Sequence, residues 1–317
     1  MQSLLLKVLY LFAALRYPRY KGDLRYFVRD NFYARLSQLP FFIRDYAQKK
    51  PYKVIDFQGE FEHELRYVLP FTYWHYLNGT LKQTISCQAT KPFYFFSENH
   101  TEKYTKRIWQ DGYGNYNFPN MTHSPSFDYS KWVPVPFKKH YQNDLFRYDK
   151  PLLVIANKYN IEWDKPPINF LSIDALDRIV STCKHTYQIV YNRPLSTQII
   201  GDNSEIMDLN EHEWLRQQHP EVLLMNDLYQ THSDKLMNFN QLQLMVYANA
   251  DRFISMHGGT AALASYFGGI NIILSHPGGG FEHYFDEYST IFPAFSGAKI
   301  LHAKCADDVF EYVNRYF

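Results

Sequence analysis

Cysteine is scarce in this sequence, so no site that depends on cysteine is predicted. The 317 residues include three cysteines, Cys87, Cys183 and Cys305, which lie far apart along the chain. No CxxC pair occurs, and the sequence therefore indicates neither a zinc ribbon nor a redox dithiol. Isolated cysteines in odd number favour a reducing compartment. We therefore expect a cytoplasmic protein.

Several motifs of common enzyme classes are also missing. The sequence contains no P-loop, no GxGxxG fingerprint and no GxSxG nucleophile elbow. It also lacks the zinc motif HExxH and an apolar-flanked DxD pair, which would hold a metal-bound diphosphate. We therefore expect no metal site and no bound cofactor.

A surplus of charge of one sign is missing as well. The formal net charge is +1, which argues against a nucleic-acid-binding protein. Basic residues are nevertheless concentrated among aromatic residues in 16–36, a stretch that could contact an anionic membrane surface. The more common interpretation of such a stretch is a solvated helical face. The preceding apolar run, 1–15, is too short to span a bilayer and predicts a packed or amphipathic helix.

Aromatic residues are abundant, at 18% of the chain. Most of them should lie in cores and interfaces, but a flat apolar ring can also stack on a sugar or a base. We expect aromatic residues of 93–132 to stack on a bound acceptor in this way.

The second half of the chain alternates short apolar runs with helical patterns. Runs of Val, Ile and Leu without alternation are typical of parallel strands that helices cover on both faces. The predicted strands lie in 151–160, 187–194, 221–227, 251–258, 270–277 and 298–303. The predicted helices lie in 172–185, 238–250, 260–269 and 306–317, with Ser172 as an N-cap, and a polar helix is predicted before the strand in 221–227. This pattern predicts a doubly wound α/β domain, in which ligands bind at the carboxyl ends of the strands.

The first half is less regular. A buried strand is predicted at 52–57, and a helix at 60–77 that Pro70 should kink or end. Two more strands are predicted at 80–87 and 91–97, followed by an irregular region, 101–149. We therefore divide the chain into an acceptor-binding domain, 1–149, and a nucleotide-sugar-binding domain, 150–317. The last helix could pack back on the first domain.

Polar and glycine residues follow several strands of the second half. The sequence SMHGGT ends one strand and opens a helix, which suits a phosphate, although a tight turn with a buried histidine explains it equally well. The next strand ends in HPGGGFEH, at the same sheet edge. Two earlier strand ends add amides and cations that could pair with a diphosphate. The candidate binding residues are Asn157, Lys158, Asn192, Arg193, His257, Gly258, Gly259, Thr260, His276, Gly278, Gly279, Glu282 and His283.

Carboxylates follow the first strand of the first half, in DFQGEFEHEL. Acids near a helix N-terminus are stabilised by its dipole, which is a structural explanation for them. Glu60 and Glu64 are also four residues apart and should share a helical face, so that one of them could act as general base toward a hydroxyl. The candidate catalytic residues are Glu60, Glu64 and His257.

Two stretches resemble parts of GT-B glycosyltransferases. FISMHGGTAALASYFGG, 253–269, resembles the strand–HG–helix element of inverting, metal-independent members such as plant xylosyltransferases and related protein O-glycosyltransferases. VIDFQGEFEHEL, 54–65, is similar to the opening strand, turn and helix of the acceptor domain in microbial and viral members. The resemblance covers about 52–77 and 150–317.

The resemblance implies two Rossmann-like domains that face a cleft and transfer a sugar from a nucleotide sugar to a hydroxyl of a glycan or glycoconjugate. It places His257 to Thr260 and Arg193 near the donor diphosphate, and the loop from Gly278 to His283 near the donor sugar or base. It places an acid, Glu60 by preference, near the acceptor hydroxyl. Two other functions stay open. One is a polysaccharide pyruvyltransferase-like enzyme that uses phosphoenolpyruvate, and the other is a non-catalytic sugar- or nucleotide-binding protein.

Overall fold

In the computed structural model the described residues are 2–16, 18, 33–108, 118–120, 127–162, 164–201, 204–277 and 287–317. The strands are β1 (Lys53–Asp56), β2 (Leu81–Cys87), β3 (His100–Tyr104), β4 (Leu152–Ala156), β5 (Asn160–Glu162), β6 (Gln188–Asn192), β7 (Ser204–Ile206), β8 (Leu223–Leu224), β9 (Ala250–Met256), β10 (Ile270–Leu274) and β11 (Lys299–Ala303). The α-helices are α1 (Gln2–Arg16), α2 (Tyr33–Leu36), α3 (Phe61–His63), α4 (Leu69–Leu77), α5 (Phe137–Tyr141), α6 (Ile173–Cys183), α7 (Glu211–Gln218), α8 (Met225–His232), α9 (Phe239–Ala248), α10 (Gly259–Ser265), α11 (Phe292–Ser296) and α12 (Ala306–Tyr316).

The described residues also form short 3-10 and π turns. The 3-10 turns are Leu39–Phe41, Lys91–Tyr94 and Ser233–Lys235, and the π turns are Arg44–Gln48, Glu64–Val68 and Glu287–Ile291. Among the described residues, no helix is both long enough and apolar enough to cross a membrane.

The second half forms a six-stranded parallel sheet in the order β8-β6-β4-β9-β10-β11. Numbered along the chain, this order is 3-2-1-4-5-6, the order of the Rossmann fold. Residues of β4 alternate between two buried clusters, with Val154 in the cluster on one face and Leu153 and Ile155 in the cluster on the other. Because both faces are covered, all of β4 is buried. The predicted α/β architecture, with parallel sheets covered by helices, is confirmed.

The first half contributes a smaller parallel sheet in the order β1-β2-β3. Its helical side shares one apolar cluster with the second half. The Tyr266 hydroxyl donates to the carbonyl of Leu65 at 2.6 Å, and the rings of Phe137 and Tyr266 pack with centroids 4.9 Å apart. The two sheets are therefore joined by packed side chains. The domain boundary at 149/150, which immediately precedes β4, stays a prediction.

The last helix packs on the larger sheet. Val309, Phe310 and Val313 of α12 belong to the cluster that covers one face of that sheet, and α12 contacts β10, β11 and α6. These contacts lie within the second half, whereas the sequence left open a packing of this helix on the first domain.

The secondary structure of the first half differs from the prediction in several places. The strand predicted at 91–97 is wrong: Lys91–Tyr94 is a 3-10 turn, because Pro92 cannot donate to a strand ladder and the consecutive side chains of Phe93 and Tyr94 are both buried. Pro70 does not end the helix either, since it occupies the first turn of α4, directly after a π turn. In the second half, the predicted N-cap is confirmed, because Ser172 accepts a hydrogen bond from the backbone N–H of Ala175.

We expect a substitution of Gly269, which lies between α10 and β10, to have a large effect on stability. Its φ is +68°, and a Cβ atom there would lie 2.0 Å from the carbonyl oxygen of Asp251. We expect Gly269→Ala to lower the free energy of unfolding by roughly 2–5 kcal/mol, from the left-handed backbone and from steric overlap. Urea denaturation measures this. Gly297→Ala is the matched control, because its φ is +77° and nothing lies within 4 Å of the added methyl. Equal losses in the two variants would contradict the steric explanation.

Candidate active site

A cavity of about 220 Å³ opens at the carboxyl ends of β4, β6 and β9 and is lined by residues from both halves of the chain. The order of the larger sheet reverses between β4 and β9, and such a switch point is where doubly wound sheets bind ligands. The lining residues that concern the site are Glu60, Phe61, Glu62, His63, Arg107, Asn157, Lys158, Glu162, Arg193, Tyr247, His257, Gly258, Gly259, Thr260 and Leu263.

The HGG turn, His257 to Gly259, lies where β9 leads into α10. Gly258 has φ +105°, a conformation that favours glycine. A Cβ atom on Gly259 would lie 2.9 Å from the Phe61 ring, so this glycine lets the first half approach α10 closely. The Thr260 hydroxyl donates to the Met256 carbonyl. The turn therefore both packs the two halves together and forms part of the cavity wall.

Lys158 extends from the end of β4 toward the HGG turn. Its Nζ lies 3.7 Å from the point where a Cβ of Gly258 would be. Its ion-pair partner is Glu162, at 2.7 Å, and the side chain of Glu162 is 30% exposed. A partly exposed partner exchanges readily for another anion, because water screens the pair. Lys158 is therefore well placed to meet an anionic ligand in the cavity.

The neighbouring Asn157 has a structural task. Its side-chain amide donates to Leu171 O and to the Tyr191 hydroxyl, each at 3.0 Å. Its Oδ1 accepts from the backbone N–H groups of Lys158 and Leu171. The residue touches the cavity, but these hydrogen bonds hold the loop after β4.

Arg193 is buried in an ion pair. Its Nε and Nη2 both donate to the carboxylate of Glu211, and Nη2 lies 3.0 Å from Oε2. Its Nη1 donates to the Met207 carbonyl at 3.0 Å, and Glu211 is fully buried. The guanidinium that the sequence assigned to a diphosphate is thus already engaged by a carboxylate of the protein.

Asn192 and His276 are not among the lining residues of the cavity. The Asn192 amide donates to Gln243 Oε1 and to the Tyr247 hydroxyl, each at 2.8 Å. The backbone N–H of His276 donates to Asn169 Oδ1 at 2.8 Å, after the end of β10. The remaining candidates, Gly278, Gly279, Glu282 and His283, lie outside the described residues.

Glu60 and Glu64 do not share a helical face. Glu60 precedes α3 and lines the cavity, and its side chain is 21% exposed. Glu64 begins the π turn and is fully buried, where it accepts hydrogen bonds from Ser86, from Tyr94 at 2.7 Å and from Arg107 at 2.6 Å. The i, i+4 argument assumed that both acids lie within one helix, but the backbone of Glu60 is extended, with φ −60° and ψ 146°, and the helix begins only after it. Of the two acids, Glu60 is the one that faces the cavity.

A buried cluster at the cavity wall was not predicted from the sequence. Glu62 and Glu287 both pair with Arg66 Nη1, at 3.0 and 2.8 Å, and Glu287 Oε2 lies 3.5 Å from His257 Nε2. Burial raises the pKa of the Glu287 carboxyl to about 7 and lowers the pKa of His257 to about 4. Burial also raises the pKa of Glu62. The i, i+4 spacing of Glu62 and Arg66 was a readable signal, whereas nothing in the sequence connected them with Glu287.

No family model and no curated protein matches this sequence. Two solved structures are similar to it. The heptosyltransferase WaaC from E. coli, with ADP-2-deoxy-2-fluoro heptose, is 11% identical, with a TM-score of 0.38, over 89% of this chain and 80% of the other. A family 9 glycosyl transferase from Veillonella parvula is 11% identical, with a TM-score of 0.35, over 89% of this chain and 71% of the other.

Proposed function

We propose that the protein is a glycosyltransferase that moves a sugar from a nucleotide sugar to a hydroxyl of a glycan or glycoconjugate, with inversion at the anomeric carbon. The observation that carries the proposal is the position of the cavity. It lies at the switch point of a Rossmann-ordered sheet and is lined by an acid, Glu60, from the first half of the chain and by a cation, Lys158, from the second half. A donor with a charged diphosphate and an acceptor with a neutral hydroxyl require these two groups.

The donor diphosphate is assigned to Lys158 and to the turn at Gly258. The cavity is also lined by Arg107 and Arg193, but each of these is held by a fully buried carboxylate, Glu64 and Glu211. Releasing either one would leave a charge buried without its partner, which costs several kcal/mol. Lys158 can change partners at lower cost because Glu162 is partly exposed.

The reaction is a single displacement. The acceptor oxygen attacks the anomeric carbon as its bond to the diphosphate oxygen breaks, and the nucleoside diphosphate leaves with the bonding electron pair. Glu60 takes the proton of the attacking hydroxyl. The charge that develops on the departing diphosphate is stabilised by the ammonium group of Lys158, which is in place before the reaction.

Replacement of Lys158 tests the assignment of the diphosphate. We expect Lys158→Met to weaken the binding of a nucleoside diphosphate by about 10- to 100-fold, because a hydrogen bond to a charged group is worth about 1.5–3 kcal/mol. Isothermal titration calorimetry with the nucleoside diphosphate that binds wild type most tightly measures the change.

The matched control is Lys165→Met, because Lys165 is exposed and is not among the lining residues of the cavity. Its affinity for the nucleotide should equal that of wild type. If the Lys158 variant bound the nucleotide as tightly as wild type, the assignment of the diphosphate to Lys158 would be wrong.

A further inference from the structure

We propose that Glu62, His257 and Glu287 bind one divalent transition-metal ion at the wall of the cavity. One ligand atom from each residue lies within 4.8 Å of the other two. The three residues come from separate parts of the fold: α3, the residue directly after β9, and the start of the π turn Glu287–Ile291. The fold therefore brings a histidine and two carboxylates from distant parts of the sequence to one point.

The contacts of Arg66 leave one oxygen of each carboxylate available. Its Nη1 approaches Oε1 of Glu62 and Oε1 of Glu287. Oε2 of Glu62 lies 4.0 Å from the Cβ position of Gly258, next to His257, and Oε2 of Glu287 lies 3.5 Å from His257 Nε2. Arg66 thus orients both carboxylates, as residues behind metal ligands commonly do.

The histidine is oriented from behind as well. Nδ1 of His257 lies 2.9 Å from the hydroxyl oxygen of Ser275, and this contact turns Nε2 toward Glu287. A hydrogen bond at one ring nitrogen that fixes the other toward a metal is a recurring arrangement of metal-binding histidines.

The charges of the cluster favour a cation. When both carboxylates are ionised, they and the one guanidinium give a net charge of −1, and the side chains of Glu287 and His257 are 0% exposed. Glu287 Oε2 accepts no hydrogen bond from the described residues, although it is fully buried. Burying a carboxylate oxygen costs free energy unless the oxygen accepts a hydrogen bond or coordinates a metal. A divalent ion would fill this position.

Access and ligand type suggest which ions fit. Glu62 and His257 line the cavity, so an ion can enter from it and keep open positions toward it. One imidazole nitrogen with two carboxylate oxygens suits Mn²⁺ or Zn²⁺. The open positions would face the region of Lys158, and their use by a donor diphosphate rests on the proposed function, whereas the metal site does not. This proposal departs from the expectation from sequence that no metal binds.

The test measures metal binding without nucleotide, so its outcome is independent of the transferase proposal. Wild-type protein is stripped with a chelator and titrated with MnCl2, followed by calorimetry and by electron paramagnetic resonance of free Mn²⁺, and then with ZnCl2. We expect one ion per chain and a higher Tm in its presence. Absence of binding for both ions at millimolar concentration would overturn the proposal.

Variants locate the site. Glu287→Gln and the less buried Glu62→Gln should each weaken binding by at least about 10-fold. Glu60→Gln is the matched control, because Glu60 lines the same cavity outside the cluster, and its affinity should equal that of wild type. Circular dichroism of the metal-free variants verifies folding, and either ligand variant suffices if the other fails to fold. Wild-type affinity in a folded ligand variant, or equal weakening in Glu60→Gln, would contradict the assignment.

Discussion

Replacing Glu60 by Gln is expected to lower turnover by about 10²- to 10⁴-fold and to leave the affinity for the donor unchanged. The amide keeps the shape of the side chain but cannot take a proton, and general base catalysis contributes rate factors of this size. Glu60 lines the cavity from the first half of the chain, whereas Lys158 and Gly258, the groups assigned to the diphosphate, belong to the second half, so the change should not disturb them. Release of nucleoside diphosphate in the presence of acceptor measures turnover, and calorimetry measures donor affinity.

A control variant at another glutamate distinguishes the loss of a base from the mere loss of one negative charge. Glu205 is exposed on β7 and is not among the lining residues of the cavity, so Glu205→Gln should turn over at the rate of wild type. If Glu60→Gln also retained the wild-type rate, Glu60 would not be the base. A parallel loss of donor affinity and turnover would instead indicate that Glu60 holds the substrate in place.

Replacing Arg193 by Ala is expected to cost about 3–5 kcal/mol of unfolding free energy. Removing one partner of a buried ion pair leaves the other charge uncompensated, and Glu211 is fully buried. The loss of the hydrogen bond to the Met207 carbonyl adds to this cost. Urea denaturation gives the change in stability.

Two comparisons identify the cause of that loss. Arg178→Ala removes an arginine from an exposed pair with Asp307, whose atoms are 3.5 Å apart, and should cost at most about 1 kcal/mol. The double variant Arg193→Ala, Glu211→Gln should recover part of the loss, because the orphaned carboxylate is gone. Wild-type stability in Arg193→Ala, together with weaker nucleotide binding, would restore the diphosphate role that the sequence suggested.

The larger sheet could be predicted from sequence because its strands are fully buried. Continuous apolar runs such as Leu152–Ala156 carry that signal directly. The exposed strand His100–Tyr104 has no such pattern, since its three central residues face solvent, and it was missed. The π turn at Glu64–Val68 could not be anticipated either, because its residues suit an ordinary α-helix equally well.

The position of the site was easier to predict than the state of its side chains. Strand ends and glycines located the cavity around Lys158 and the HGG turn, because parallel strands end at one sheet edge. Arg193 pairs with Glu211, and His257 lies next to Glu287. Only the tertiary fold brings the members of each pair close together. A sequence pattern does not report such pairs, and they decide which groups meet a ligand.

The most direct test of the central claim is the thermal stability of wild type with a panel of nucleoside diphosphates, nucleotide sugars and phosphoenolpyruvate. A ligand that binds only the folded state stabilises it, by about 2.7 kcal/mol at 100 times its Kd. The transferase proposal predicts that at least one nucleoside diphosphate and its sugar conjugate raise the Tm. A rise with phosphoenolpyruvate alone, or with none of these compounds, would contradict it.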